Sequence, residues 1–277
     1  MSSRKKVFIL MRYSILSIDA ARSWKIGQRG IDEYRNMLFS DERLDLHENL
    51  FFNLTLRSVD KAVEHSDLDV SLIVFISNEL PDSRKNKLYD AADKRSYLSI
   101  KELSPADKTL ISIGDEVANQ VSEYFGEVVY ATIRLDDDDV LHPQFLKSLD
   151  EYIEPAYVGK CVSFSSGYAG LFDGSKFTAF HTMNAINNAQ GLTAISKKTV
   201  NGEIKGLKSI YNSSISHSRT HWKMPVVADG VKPMYIRTVH AQGDFYSEDY
   251  ERRLSVAETK EAQEVLLDFL LDPKLVG

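Results

Sequence analysis

At 277 residues, 43% hydrophobic and 27% charged, the chain is long enough to bury a substantial core and carry an active site, most simply as one domain with an elaborated second half. A formal net charge of -6 with both signs well mixed excludes the broad basic face of a dedicated nucleic-acid binder, while leaving room for a local basic pocket. The single cysteine, Cys161, rules out an internal disulfide framework and a Cys-rich zinc site; it reads as a small buried hydrophobe in a reducing compartment.

Val7-Phe8-Ile9-Leu10-Met11 predicts the first strand. Arg12 interrupts the apolar run, which is too short for a membrane span and poor as a signal peptide, so a cytoplasmic location is expected. Arg12-Tyr13-Ser14 falls just past the strand, where open α/β sheets bind ligands, and Arg12 suits a diphosphate or a base. The segment from Ile15 to Ser40, with Trp24, Gly27 and Gly30, reads as an irregular loop. From about Leu44 to His65 the apolar residues gather on one side of a helix. Asp69 to Ser77 reads as a second strand buried on both faces, and a polar helix runs from Pro81 to about Lys94. Tyr97 to Ile100 is a short third strand, followed by a helix from about Pro105 to Phe125.

Val128 to Leu135 is a fourth buried strand, and it runs directly into Asp136-Asp137-Asp138-Asp139. Four carboxylates at one strand end repel one another by roughly 1 kcal/mol per pair near 4 Å even at the dielectric of water. Such a cluster wants a cation, and hard oxygen ligands point to Mn²⁺ or Mg²⁺. One Asp also suits the N-cap of a helix expected from Pro143 to about Ile153, but a cap does not need four carboxylates. Strands separated by helices make right-handed crossovers and a mainly parallel sheet the natural architecture, with Arg12 and the aspartates on its carboxyl edge.

The second half changes character. Val162 to Ser165, Phe177 to Phe180 and Thr193 to Ile195 are short β candidates between Gly, Asp and Asn. Pro225 to Gly243 reads as a turn at Asp229-Gly230 and a strand ending at His240, and a terminal amphipathic helix spans roughly Val256 to Leu271. His217, Arg219, His221 and Trp222 form a polar and aromatic patch suited to a sugar or phosphate. No repeats or low-complexity linkers interrupt the chain. There is no G-x-G-x-x-G after strand one and no P-loop, so phosphate must be neutralised by side chains, with Arg12 or Arg134 beside the carboxylate-held metal.

An N-terminal βαβ half ending in Arg134-Leu135-Asp136-Asp137-Asp138-Asp139, followed by a β-rich half, resembles glycosyltransferases of the GT-A fold with their D-x-D motif. Met11 to Ser14, Arg134 to Phe145 and Pro233 to His240 resemble, more narrowly, the rhamnosyltransferase group with its R-[LI]-D-D-D-D signature. The resemblance implies an α/β, GT-A-like single domain over residues 1–277, with a nucleotide-sugar-binding half (1–140) and an acceptor-binding half (141–277). It also implies a metal-dependent glycosyltransferase of the hexosyl type, using a nucleotide-sugar donor and a saccharide or glycoconjugate acceptor, with no nucleic-acid partner and peripheral membrane contact left open. Asp136 or Asp137 would then face the nucleoside-sugar side and Asp138 or Asp139 the metal. Alternation along an extended chain makes Asp136 with Asp138, or Asp137 with Asp139, the coherent pairs. The second pair is favoured for direct contacts, with Asp136 as support.

If the reaction inverts the anomeric centre, a carboxylate must take the acceptor proton. Asp229 leads, on its place before a turn in the second half, with Asp173 and Asp244 as rivals. His240 is implied as a further metal ligand, although Ala241-Gln242-Gly243-Asp244 follows it where the group tends to carry Gly and Asn. The expected site is thus donor-binding Arg12, Arg134, Asp136 and Asp137, metal-binding Asp137, Asp139 and His240, and catalytic Asp229. A metal-dependent phosphohydrolase and a noncatalytic calcium- or carbohydrate-binding module are the competing readings. The Asp run lacks the Gly and Glu spacing of an EF-hand loop.

Overall fold

The computed structural model describes residues 4–18, 30–213, 215–243, 254 and 258–275. Strand β1 (Arg4–Tyr13) lies at the centre of the larger sheet, with Val7 to Met11 fully buried. Its side chains alternate between two apolar layers: Val7, Ile9 and Met11 enter one core, Phe8 and Leu10 the other. A strand sandwiched in this way reads as an unbroken hydrophobic run rather than an alternating one.

Helices α1 (Ile31–Leu38) and α2 (Asp41–Leu50) follow, then a wide π turn (Phe51–Thr55) leading into α3 (Leu56–Glu64). The segment read as an irregular loop therefore ends in a helix, α1, which buries Tyr34 and Leu38. Residues 19–29, with Trp24 and Gly27, lie outside the described residues. The crossovers continue with β2 (Asp69–Ser77), α4 (Asp82–Asp93), β3 (Leu98–Leu103), α5 (Thr109–Ser122) and β4 (Val128–Asp136). α5 begins later than Pro105 because Asp107 closes a turn instead, its carboxylate accepting from the Ser104 N–H at 2.7 Å.

In the second half, β5 (Val140–Leu141) and the short α6 (Phe145–Asp150) precede β6 (Cys161–Phe164), β7 (Ser166–Phe172), β8 (Phe177–Asn184), β9 (Thr193–Lys198), β10 (Ile204–Lys205), β11 (Val226–Asp229), β12 (Tyr235–Val239), β13 (Thr259–Lys260) and α7 (Ala262–Asp268). Val140 and Leu141 are extended, and the residue at the N-cap of α6 is Gln144, so none of the aspartates caps that helix. The terminal helix is shorter than its apolar pattern, and Val256 lies outside the described residues. Strand β7 has no clear sequence signal because glycines occupy its packed positions: a Cβ on Gly167 would meet the Tyr235 ring at 2.6 Å, and one on Gly170 the Phe177 ring at 2.7 Å.

The main sheet is eight-stranded, ordered β11-β6-β9-β4-β1-β2-β3 with β10 paired to β9. β4, β1, β2 and β3 run parallel; β9 is antiparallel to both β4 and β6, and β11 runs parallel to β6. A five-stranded sheet, β13-β8-β7-β12-β5, packs Phe177, Phe180 and Ile236 with Phe269 of the C-terminal segment against Leu50 and Leu54. This is the expected α/β architecture, a mainly parallel N-terminal sheet extended by a mixed, β-rich second half. Because β9 reverses direction and β6 reverses it again, the ends of β4, β6 and β11 share one sheet edge with the end of β1. Among the described residues no helix is long and apolar enough to cross a membrane.

Candidate functional site

The parallel pairing of β1 with β4 sets Arg12 directly beside Asp136. Arg134, two residues earlier on the same face of β4, donates from Nη2 to Asp136 Oδ2 at 3.0 Å, and Arg12 Nη2 stands 3.6 Å from Asp136 Oδ1. Both guanidinium groups lie over the Tyr211 ring, at 5.1 Å for Arg12 and 5.8 Å for Arg134. Tyr211 belongs to a short 3-10 turn (Ile210–Ser213) fastened to β4 by the Ile210 N–H, which donates to Thr132 Oγ1 at 2.9 Å. Burial pushes the Asp136 carboxyl up, but the charges of Arg134 and Arg12 outweigh it and hold the group at about 2. Arg134 Nη1 also donates to His217 Nδ1 at 3.0 Å. Burial and the adjacent Arg134 charge lower His217 to about 4, so near neutrality its ring is uncharged and Nδ1 accepts.

Beyond Asp136 the chain turns, the Asp139 N–H donating to the Asp136 carbonyl at 3.3 Å. The four carboxylates are thereby dealt to different partners. Asp137 points inward, with 9% of its side chain exposed, and its Oδ2 lies 3.1 Å from His47 Nδ1 of α2. Its carbonyl accepts from Thr55 Oγ1 at 3.0 Å, which ties the π turn to the aspartate turn. Asp139 is 2% exposed; Oδ2 accepts from Gln190 Nε2 at 2.8 Å and Oδ1 from the Thr238 N–H at 3.3 Å. Burial, reinforced by the charges of Asp138 and Asp136, raises its carboxyl well above the ordinary range. Asp138 faces outward with 19% of its side chain exposed, and its Oδ2 lies 3.0 Å from His240 Nε2 just past β12. Burial pushes the Asp138 carboxyl up, but the hydrogen bond to His240 together with the influence of the His47 and His240 rings outweighs it, and the net shift is downward. The His47 and His240 rings meet edge to face at 5.6 Å.

The solvent-facing carboxylates are thus Asp136 and Asp138, whereas Asp137 and Asp139, the pair favoured from the sequence for direct contacts, serve as internal braces. Arg12, Arg134 and Asp136 come together at the carboxyl edge, and His240, just past β12, reaches Asp138 there. Asp229 reaches the same edge at the end of β11, but three strands from β4, roughly 14 Å at ~4.8 Å per strand. Its Oδ2 accepts from the Tyr152 hydroxyl at 2.9 Å and its Oδ1 from the Val231 N–H at 3.1 Å. Asp173 is exposed at the turn between β7 and β8, where its carboxylate accepts from the Ser175 and Lys176 amides, and Asp244 lies outside the described residues. His47, Gln190 and Tyr211 had no functional reading in the sequence. His47 sits in a helix whose pattern reads simply as core, and Gln190 and Tyr211 sit in connections without periodicity.

Among the described residues no three His, Cys, Asp or Glu side chains converge as a ready-made metal cage. The donor set nevertheless fits a hard divalent cation shared with a phosphate ligand. An outward carboxylate (Asp138) adjoins an imidazole (His240) whose Nδ1 is buried without a hydrogen-bond partner among the described residues. Mg²⁺ and Mn²⁺ sites of this sort take one or two protein ligands and complete their shell with phosphate oxygens and water.

A family profile described as Putative rhamnosyl transferase matches residues 6–251. No curated protein matches the chain. Solved structures with a similar course include a putative glucose-1-phosphate thymidylyltransferase from Bacillus anthracis in complex with a sucrose, at TM-score 0.41 and 7% identity, covering 97% of this chain and 100% of that one. S. aureus TarS 1-349 in complex with UDP aligns at TM-score 0.35 and 13% identity, covering 96% of this chain and 70% of that one. A 4-diphosphocytidyl-2C-methyl-D-erythritol synthase aligns at TM-score 0.34 and 10% identity, covering 83% and 90%.

Proposed function

This chain belongs to the putative rhamnosyl transferase family, and we propose that it moves a sugar from a nucleotide-activated donor to a hydroxyl of a saccharide or other acceptor, with Mn²⁺ or Mg²⁺ at the aspartate turn. The observation that carries this reading is the pairing, on one sheet edge, of two arginines oriented by Asp136 with an outward carboxylate–imidazole pair, Asp138 and His240. Arginine forks match phosphate geometry, and two of them over one tyrosine ring offer a cationic face to a diphosphate.

In glycosyl transfer from such a donor, negative charge grows on the leaving diphosphate as the glycosidic bond breaks. Arg12 and Arg134, already fixed by Asp136 and Tyr211, meet that charge with little reorganisation, which is where preorganised electrostatics lower a barrier most. Asp138 and His240 would hold the cation, which when bound supplies Lewis-acid stabilisation of the same leaving oxygens. Asp137 with His47, and Asp139 with Gln190 and the Thr238 amide, brace the turn that presents Asp138. Asp229 is proposed as the group that takes the acceptor proton, on its position at the same edge in the second half.

The test is a screen of nucleoside diphosphates and nucleotide-sugars with Mn²⁺, reading thermal shift and donor hydrolysis together. One donor that both raises the melting temperature and is slowly hydrolysed is expected. Unchanged melting across the panel would sink the proposal, and rapid phosphate release from a simple phosphoester would favour a phosphohydrolase instead.

A further inference from the structure

A groove of about 690 Å³ opens in the second half of the chain between the β8–β9 connection, the 3-10 segment His217–Trp222 and β11. Its lining is apolar at Ile186, Met224, Val226 and Ala228 and polar at Asn187, His221 and Lys223. Among the described residues no carboxylate lines it. We infer that this groove is the acceptor subsite and that it takes a neutral saccharide, one hydroxyl of which donates to Asn187. The inference rests on the glycosyl-transfer reading above and adds to it where the acceptor lies and what chemical class it is.

Asn187 carries the argument. It is 4% exposed, and its backbone is held at φ 62, the left-handed region that asparagine tolerates better than most residues. Its N–H donates to Ser163 Oγ at 3.2 Å and its side-chain Nδ2 to His221 Nδ1 at 2.7 Å, yet Oδ1 is buried with no hydrogen-bond partner among the described residues. A buried acceptor left unmade costs about 1–3 kcal/mol and needs an explanation in a native structure. What satisfies it must bring a donor. A phosphate or carboxylate, which only accept, cannot; a sugar hydroxyl can. The apolar wall of Met224, Val226 and Ala228 suits the C–H face of a pyranose, and Trp222, 66% exposed beside His221 with the Arg219 guanidinium 5.0 Å over its ring, offers an aromatic surface next to it.

The groove is wired to the donor end by two short elements. In the 3-10 segment, His217 accepts from Arg134 and His221, four residues on, accepts from Asn187. At ~2 Å rise per residue these contacts lie roughly 8 Å apart along the segment, about the reach of one sugar ring and its substituents. In the β8–β9 connection, Asn187 lines the groove while Gln190, three residues later, holds Asp139. The same connection therefore touches the groove at Asn187 and the aspartate turn at Gln190.

The experiment is a ¹H–¹⁵N NMR titration of the full chain with both anomers of the methyl glycosides of glucose, galactose, mannose, N-acetylglucosamine and rhamnose. At least one glycoside is expected to shift the Asn187 side-chain amide and the Trp222 indole together. N187G, which removes the amide and accepts the left-handed backbone, should weaken that glycoside about three- to tenfold, the loss of one neutral hydrogen bond. A228F, which fills the groove from β11 and leaves Asn187 and His221 themselves unsubstituted, should abolish the shifts and guards against a folding defect in the first variant. Both variants should keep the thermal shift given by nucleoside diphosphate with Mn²⁺. No perturbation of Asn187 by any glycoside, or shifts that survive both variants, overturns the groove while leaving the donor reading intact. Glycoside shifts without any nucleotide stabilisation would do the reverse.

Discussion

Replacing Asp138 by Asn tests which face of the aspartate turn meets the cation. Asp138 is partly exposed and contacts His240 at 3.0 Å, whereas Asp137 is buried against His47 at 3.1 Å. In the wild type, nucleoside diphosphate and Mn²⁺ at a hundred times their joint dissociation constant stabilise the native state by about 2.7 kcal/mol. At roughly 2–4 °C per kcal/mol for a chain near this size, the melting temperature rises by about 5–10 °C. If D138N weakens joint binding a hundredfold, the remaining stabilisation at the same concentration is about 0.4 kcal/mol, a shift of roughly 1 °C. D137N gives the opposite signature. Losing the buried bond to His47 costs about 1–3 kcal/mol of unliganded stability, while the ligand-induced shift persists. Differential scanning fluorimetry of both variants, with and without the two ligands, separates the cases. A D138N protein that keeps the full shift, beside a D137N protein that loses it, would refute the outward assignment.

Three further outcomes are expected. His217 has its pKa lowered from 6.5 to about 4, so the unfolded state binds the extra proton first, and this contribution to stability is present above pH ~6.5 and lost as pH falls toward ~4. For a half-buried ring that amounts to about 1–3 kcal/mol, and H217Q, which keeps an acceptor for Arg134, should flatten the slope of urea-unfolding stability in that window; an unchanged slope contradicts the assignment. G191A should lose about 2–4 kcal/mol, because Gly191 sits at φ +72 and its new Cβ would meet the Phe145 ring at 2.5 Å; chemical denaturation measures this, and a loss below half a unit of that scale rejects the clash. D229N should lower kcat about 10²- to 10⁴-fold with little change in donor hydrolysis if Asp229 takes the acceptor proton. A drop in melting temperature with kcat kept would mark its bond to Tyr152 as structural only.

Much of this architecture is legible in the residues. Val7 to Met11, Val70 to Ile76 and Val128 to Leu135 are apolar on both faces, so they can only be strands covered from above and below. Helices between them then require parallel crossovers, which is why Arg12 and Asp136 were expected on one edge; the register that makes them direct neighbours agrees. The connections are harder to read. Tyr211, Asn187 and Gln190 lie in connections or short turns, and their partners are 24 or more residues away along the chain or on another element.

The aspartate run shows where sequence information stops. Alternation grouped Asp136 with Asp138 and Asp137 with Asp139, and the burial follows those pairs. Period two states which residues share a side but not which side meets solvent, because inward polar partners are as compatible with a carboxylate as a cation is. That choice belongs to His47 from α2, Gln190 from the β8–β9 connection and the Thr238 amide from β12, which converge on the inner side only when three distant segments pack. Local sequence determined the strands, the charge and its edge of the sheet, since these follow from short-range sterics and burial. Long-range packing alone decided which two carboxylates are left facing a ligand.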